Sequence, residues 1–214
     1  MLAVVLAGGE LAPGPRVEAA LRRADLVIAA DSGARHAAAL GCTIDVLIGD
    51  FDSWAPEAGR AGSLLSFPAD KDLTDTHLAV REAVRRGATE IALLAAMRGP
   101  RLDHALANAA LLAAPEFRGV DLRALDGPDE LRCVRSFAAI SGRPGDLVSL
   151  LPVTARTAGI TTSGLRYVLS GGVLRRGETR GVSNELVDGE ATVRVERGTL
   201  LLVHRLGGDP NRRQ

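Results

Sequence analysis

Two carboxylates one residue apart, Asp50 and Asp52, follow the apolar run Ile44–Ile48 after a single glycine, in Gly49-Asp50-Phe51-Asp52-Ser53. In extended chain, residues two apart face the same side about 6.6 Å apart, so Asp50 and Asp52 look one way and Phe51 the other. Two carboxylates about 5 Å apart repel by on the order of 3 kcal/mol at an effective dielectric of about 20. A hard cation removes that repulsion. All-oxygen ligands on a short loop suit Mg²⁺, with Mn²⁺ possible, because such an ion takes one or two carboxylates and keeps places for water and phosphate. Asp31 follows the run Leu26–Ala30, and Asp75 closes Asp70-Lys71-Asp72-Leu73-Thr74-Asp75. The metal candidates are therefore Asp31, Asp50, Asp52 and Asp75.

Positive charge stands nearby in sequence. Lys71 is the only lysine among 26 basic residues. Arg101, His104 and Asn108 fall within about 60° of one another at 100° per helical residue, a polar stripe on an otherwise apolar helix. Arg101 and Lys71 suit a triphosphate and the charge that develops on a transferring group. Each residue also has a plainer reading: Thr74 as an N-cap, Asp75 as a carboxylate favoured in a first helical turn, Asp31 as a turn residue, the stripe as solvated surface. Taken together, carboxylates after successive strands of one sheet converge on one crevice.

The elements that must position these groups are legible as patterns. Leu2–Ala7, Leu26–Ala30, Ile44–Ile48, Ile91–Ala96 and Val120–Leu125 are short apolar runs, as in strands covered on both faces. Helical patterns lie between them at Val17–Ala24, Ala34–Leu40, Asp75–Arg86 and Leu102–Ala113. This alternation predicts a doubly wound parallel (Rossmann-like) sheet whose ligands bind beyond the carboxyl ends of its strands. After Ile140 alanine gives way to Gly, Thr and Val, and the reading changes to antiparallel strands at Leu131–Val134, Asp146–Leu151, Gly164–Leu169, Ala191–Glu196 and Leu200–Arg205. Arg197-Gly198 reads as a hairpin turn between the last two. The expected architecture is an α/β domain over 1–126 and a small β-sandwich or barrel over 127–214.

Composition narrows the function classes. The chain has 214 residues, 26 basic against 26 acidic side chains, 46% hydrophobic residues and 3% aromatics. Balanced charge and scarce aromatics argue against nucleic-acid binding, and the apolar content allows a substantial core. No stretch has the length of a membrane span, and MLAVVLAGGE lacks a basic signal-peptide region. A cytoplasmic protein beginning at Met1, without membrane contact, is expected. Cys42 and Cys133 have neither metal nor disulfide spacing.

Ala30-Asp31-Ser32-Gly33-Ala34, Gly49-Asp50-Phe51-Asp52-Ser53, Asp72-Leu73-Thr74-Asp75 and Arg101-Leu102-Asp103-His104, in this order, resemble thiamine pyrophosphokinase. Val148–Pro152, Thr162–Tyr167 and Gly181-Val182-Ser183-Asn184-Glu185 resemble that family's thiamine-binding domain. The resemblance implies transfer of the β,γ-diphosphate of Mg-ATP to the hydroxyl of thiamine, giving thiamine diphosphate and AMP. It implies a homodimer with active sites at the subunit interface. Asp50, Asp52, Asp75 and Asp31 would hold metal; Asp52, Asp75, Arg101 and Asp103 would serve catalysis, Asp103 by lining the diphosphate region or orienting the hydroxyl. Asp31, Lys71, Thr74, Arg101, His104 and Asn108 would bind ATP, and Ser183, Asn184 and Tyr167 the thiamine. Two departures stand out: Ser32 and Pro100 occupy positions where the family commonly has glycine. Pro100 has no N–H to offer a phosphate.

Two other readings compete. Asp50-Phe51-Asp52 also resembles the strand-end pair of haloacid-dehalogenase-type phosphohydrolases, which belongs after a first strand and leaves the β-domain unexplained. A non-catalytic nucleotide or vitamin sensor would bind without turnover, against the full set of Asp31, Asp50, Asp52, Asp75 and Asp103.

Overall fold

The computed structural model describes residues 1–49, 61–66, 70 and 72–208, and the chain divides into two compact units, Met1–Gly127 and Pro128–Gln214. In the first unit the elements run β1 (Leu2–Leu6), α1 (Pro15–Arg23), β2 (Leu26–Ala30), α2 (His36–Leu40), β3 (Ile44–Gly49) and β4 (Ala61–Ser66). They continue with α3 (Asp75–Arg85), β5 (Glu90–Leu94), α4 (Leu102–Leu111) and β6 (Asp121–Asp126). Every strand pair is parallel, in the order β4-β3-β2-β1-β5-β6. β1 and β2 are buried at every position, as their unbroken apolar runs require. From β1 the chain moves to one side through β2, β3 and β4, then crosses to the other for β5 and β6. The carboxyl ends of β1 and β5 thus form the switch point at which such sheets take ligands.

Local chemistry sets the helix ends. α1 begins at Pro15, earlier than its apolar period suggests, because proline's fixed φ and missing N–H suit a first helical turn. Thr74 caps α3, its Oγ1 accepting the His77 N–H at 3.2 Å. The single helix expected over Ala34–Leu40 is instead a 3-10 turn, Asp31–Arg35, leading into α2. Gly41, at φ 63°, ends α2. β4 carries little apolar pattern (AGSLLS), and pairing to β3 defines it.

The second unit contains β7 (Asp129–Val134), β8 (Phe137–Ser141), β9 (Leu147–Pro152), β10 (Arg156–Ser163), β11 (Gly172–Arg175), β12 (Asn184–Glu185), β13 (Glu190–Arg194) and β14 (Leu200–Arg205). They form two antiparallel layers, β12-β9-β14-β7 and β11-β10-β13-β8. Val134, Ile140, Val148, Leu150, Ile160, Val193, Leu200 and Leu202 from both layers share one core. Burial alternates along β8 and β14, the mark of sheets covered on one face.

Two expectations fail here. No hairpin forms at Arg197-Gly198: β13 pairs with β8 and β10, whereas β14 pairs with β7 and β9. A turn signal fixes a reversal of direction, and alternating apolar residues face the core equally well whether the returning strand pairs or crosses to the other sheet. Gly164–Leu169 is not a strand either. β10 ends at Ser163, Gly164 adopts φ 69° with its Cβ position 1.9 Å from Glu190 O, and only Leu165 bridges Leu186. Among the described residues, no helix is long and apolar enough to cross a membrane.

Candidate active site

A cleft of about 200 Å³ opens at the carboxyl ends of β1, β2 and β5. Ala7–Gly9 follow β1, Asp31 and Ser32 follow β2, Thr74–Thr76 begin α3, and Ala95–Ala96 and Arg98–Arg101 connect β5 to α4. His104, Ala105 and Asn108 complete the wall from α4. Of the residues singled out from sequence, this one cleft brings together Asp31, Thr74, Asp75, Arg101, His104 and Asn108. Asp50, Asp52 and Lys71 lie outside the described residues.

The backbone is strained where it meets the cleft. Asp31 at φ 48° and Ala95 at φ 53° both adopt left-handed conformations. Such conformations cost roughly 1–2 kcal/mol per non-glycine residue and concentrate at functional sites. Gly49 ends β3 against Asp31, a Cβ there standing 3.4 Å from Asp31 Cα. A Cβ on Gly8 would come within 2.5 Å of Ser32 Oγ, so a side chain there requires the Ser32 hydroxyl to turn away.

Several side chains have tasks that sequence could not assign. Asn108 is buried and donates from Nδ2 to Ala96 O at 2.9 Å, so its amide braces the β5–α4 connection. Asp103 is exposed and absent from the cleft wall. It grips Arg101 at two points, Arg101 Nε to Oδ1 at 3.0 Å and Nη2 to Oδ2 at 2.7 Å. The guanidinium holds the Asp103 carboxyl down at about 2. A carboxylate so weakly basic is a poor proton acceptor near neutral pH. Arg98, which the sequence reading passed over, also lines the cleft and donates from Nε to Asp126 Oδ2 at 2.8 Å. Its signal was position, just beyond the apolar run of β5.

The donor chemistry fits a hard cation in part. Asp31 and Asp75 place carboxylates on one cleft, with arginines to balance anionic ligands, and Mg²⁺ needs only one or two carboxylates when phosphate and water complete its shell. Among the described residues, no three candidate ligands form a cluster. The strand-end aspartate pair follows β3, whereas β1 ends in Ala7-Gly8-Gly9 with no carboxylate. That is not the arrangement of a dehalogenase-type nucleophile.

The second unit has its own cavity, about 320 Å³, between apolar Leu150, Leu169 and Leu174 and polar Thr162, Arg180 and Asn184. Tyr167 and Asn184 line it; Ser183 does not. Asn184 and Tyr167 are tied reciprocally, Tyr167 N–H to Asn184 Oδ1 at 3.0 Å and Asn184 Nδ2 to Tyr167 O at 2.7 Å. The amide therefore shapes the loop that carries the tyrosine. Ser183 sits at φ 60° and donates its N–H to Ser149 Oγ at 3.0 Å.

Comparison with known proteins gives these sites a context. The family model for the thiamin pyrophosphokinase catalytic domain matches residues 17–123, and that for the thiamin pyrophosphokinase vitamin B1 binding domain matches residues 138–200. A thiamine pyrophosphokinase structure from Bacillus subtilis is 23% identical with a TM-score of 0.84, covering 97% of this chain and 100% of that one. One from Geobacillus thermodenitrificans is 25% identical with a TM-score of 0.81, covering 99% of each chain. The yeast thiamin pyrophosphokinase keeps the fold at 14% identity, with a TM-score of 0.75 over 95% of this chain and 86% of that one. A search of curated proteins finds no match. With one family model on each compact unit, the chain belongs to the thiamin pyrophosphokinase family.

Proposed function

We propose that this thiamine diphosphokinase binds ATP in the α/β cleft and thiamine at the cavity of the β unit, and moves the β,γ-diphosphate to the thiamine hydroxyl. The observation that carries the assignment of sites is the charge pattern of one cleft: carboxylates of Asp31 and Asp75 beside guanidiniums of Arg98 and Arg101 at the sheet's switch point. At about 200 Å³ the cleft is smaller than the roughly 300–1,000 Å³ of most small-molecule sites and suits the phosphate end of a nucleotide. The β-unit cavity, about 320 Å³, has the size and mixed lining for a small heterocyclic cation.

In this reading the hydroxyl oxygen of thiamine, giving up its proton to solvent, bonds to the β-phosphorus, the bond from that phosphorus to the α,β-bridging oxygen breaks, and AMP leaves with that oxygen. Such a transfer depends on alignment and charge stabilisation more than on covalent help. Arg101, fixed by Asp103, meets phosphate oxygens with a guanidinium already oriented. Arg98, fixed by Asp126, does the same from the same β5–α4 connection. Asp31 and Asp75, with Asp50 and Asp52, would hold Mg²⁺ or Mn²⁺, which neutralises phosphate charge when bound. Thr74 sets the start of α3 and hence the place of Asp75. His104 and Asn108 shape the α4 wall, Lys71 adds a phosphate contact, and Tyr167 with Ser183 and Asn184 receives thiamine. The reading includes a cytoplasmic homodimer with active sites at the subunit interface.

The test is to incubate the protein with ATP, Mg²⁺ and thiamine and to quantify AMP and thiamine diphosphate together. Equimolar products are expected. ADP formation, or AMP released without thiamine, overturns the reading.

A further inference from the structure

Three side-chain hydrogen bonds converge on two consecutive carbonyls in the wall of the α/β cleft. Arg35 Nη2 donates to Gly8 O at 2.8 Å and to Gly9 O at 2.9 Å, and His36 Nε2 lies 2.9 Å from Gly9 O. A carbonyl only accepts, so Nε2 of His36 carries the ring proton. The same two peptide units are also held through their N–H groups, Gly9 N–H donating to Ala95 O at 2.9 Å and Glu10 N–H to Arg98 O at 3.0 Å. Each peptide is thus fixed at both ends.

A Gly-Gly pair has the widest backbone freedom in the chain, and without these donors either peptide could rotate. Rotation would turn a carbonyl dipole toward the side where an anion is to bind. Holding a carbonyl with a cationic donor is stronger than with a neutral one. The turn also has no slack for a side chain: a Cβ on Gly9 would stand 2.3 Å from Arg98 O and 2.4 Å from Ala95 O. Burial lowers the His36 pKa, which keeps its ring neutral near pH 7 and leaves Arg35 as the charged member.

We propose that Arg35 and His36 are positioning residues for the nucleotide: they hold the carbonyls of Gly8 and Gly9 so that this wall of the cleft presents no negative dipole to the phosphates. The proposal rests on the reading of the α/β cleft as the ATP site.

Four proteins test it: wild type, Arg35→Gln, His36→Leu and His36→Gln, the last keeping an N–H donor at the end of the side chain. The KM for ATP is expected to rise about 10–100-fold in Arg35→Gln and by about tenfold in His36→Leu. In both, kcat should stay within about threefold and the KM for thiamine should be unchanged. His36→Gln should recover most of the His36→Leu loss. Binding of α,β-methylene-ATP, followed by calorimetry without thiamine, should weaken by the same factors. If the wild type does not bind the analogue, the ATP reading itself fails. If the wild type binds it and the variants bind equally tightly, the positioning role alone is refuted. A fall in kcat with KM for ATP unchanged, or an equal rise in KM for both substrates, also overturns it. Should Arg35→Gln not fold, the two His36 variants decide the matter.

Discussion

Asn108→Asp replaces one buried NH₂ by oxygen and reverses the sign of its contact with the cleft wall. Asn108 is 5% exposed, and its Nδ2 donates to Ala96 O at 2.9 Å. An ionised carboxylate there loses a hydrogen bond worth about 1 kcal/mol and leaves a buried carbonyl unpaired, at about 1–3 kcal/mol, before its own desolvation is counted. The alternative is for the carboxyl to keep its proton and donate to Ala96 O. From a reference pKa of about 3.9, holding a proton at pH 7 costs about 4 kcal/mol, at roughly 1.4 kcal/mol per pH unit. The loss at pH 7 is therefore about 2–4 kcal/mol, capped by protonation. The sign follows from linkage: the folded-state pKa of the new carboxyl is raised above its unfolded value. The variant thus approaches wild-type stability below about pH 4 and loses it as pH rises through the folded pKa. Urea unfolding followed by the helical circular dichroism signal reads the α/β unit selectively, because all helices among the described residues lie in the first unit. A loss below about 0.5 kcal/mol at pH 7, or a difference from wild type that does not change between pH 4 and 8, would refute the argument.

Three further outcomes are expected. Thr74→Ala removes the α3 cap and should cost about 1 kcal/mol in the same urea assay, with Thr74→Ser retaining most of it. Asp103→Asn releases Arg101 and should lower kcat/KM about tenfold or more. Because the Asp103 carboxyl is depressed to about 2, its pair with Arg101 is intact above the ordinary carboxylate value and is lost only as pH falls through about 2. The acidic limb of the pH–rate profile between about pH 4 and 7 should therefore keep its position in that variant. Asp75→Asn should reduce turnover at least 100-fold at saturating ATP and thiamine while circular dichroism at 25 °C stays that of the wild type, and excess Mg²⁺ should restore part of the activity; near-normal turnover at low Mg²⁺ would remove Asp75 from the metal site.

What was legible in the sequence depended on what each residue contributes to a pattern. Asp31, Asp75, Arg101 and His104 could be found because their side-chain chemistry is distinctive and each stands just past an apolar run or at a helix start, which a parallel sheet directs to one crevice. Asn108 was found by helical spacing, yet the task of its amide, holding Ala96 O, depends on a contact between two elements. Asp103 shows the same limit: the family resemblance implied a place near the diphosphate, whereas its two-point bond to Arg101 depends on side-chain geometry that no motif spells out. The strands of the second unit were partly hidden because Gly164 breaks a run that looks continuous, and because Arg197-Gly198 turns the chain between sheets. Least legible was the wall made of backbone. A carbonyl has no letter in the sequence, so Gly8 and Gly9 announce themselves only as small residues after β1, and Arg35 and His36 as ordinary members of the next helical stretch. Five hydrogen bonds, three from Arg35 and His36 and two from the backbone N–H groups of Gly9 and Glu10, turn a permissive Gly-Gly pair into a fixed surface. That rigidity is a property of pairs of positions some 26 and 27 residues apart, which is why a single-chain reading by local pattern passes over it.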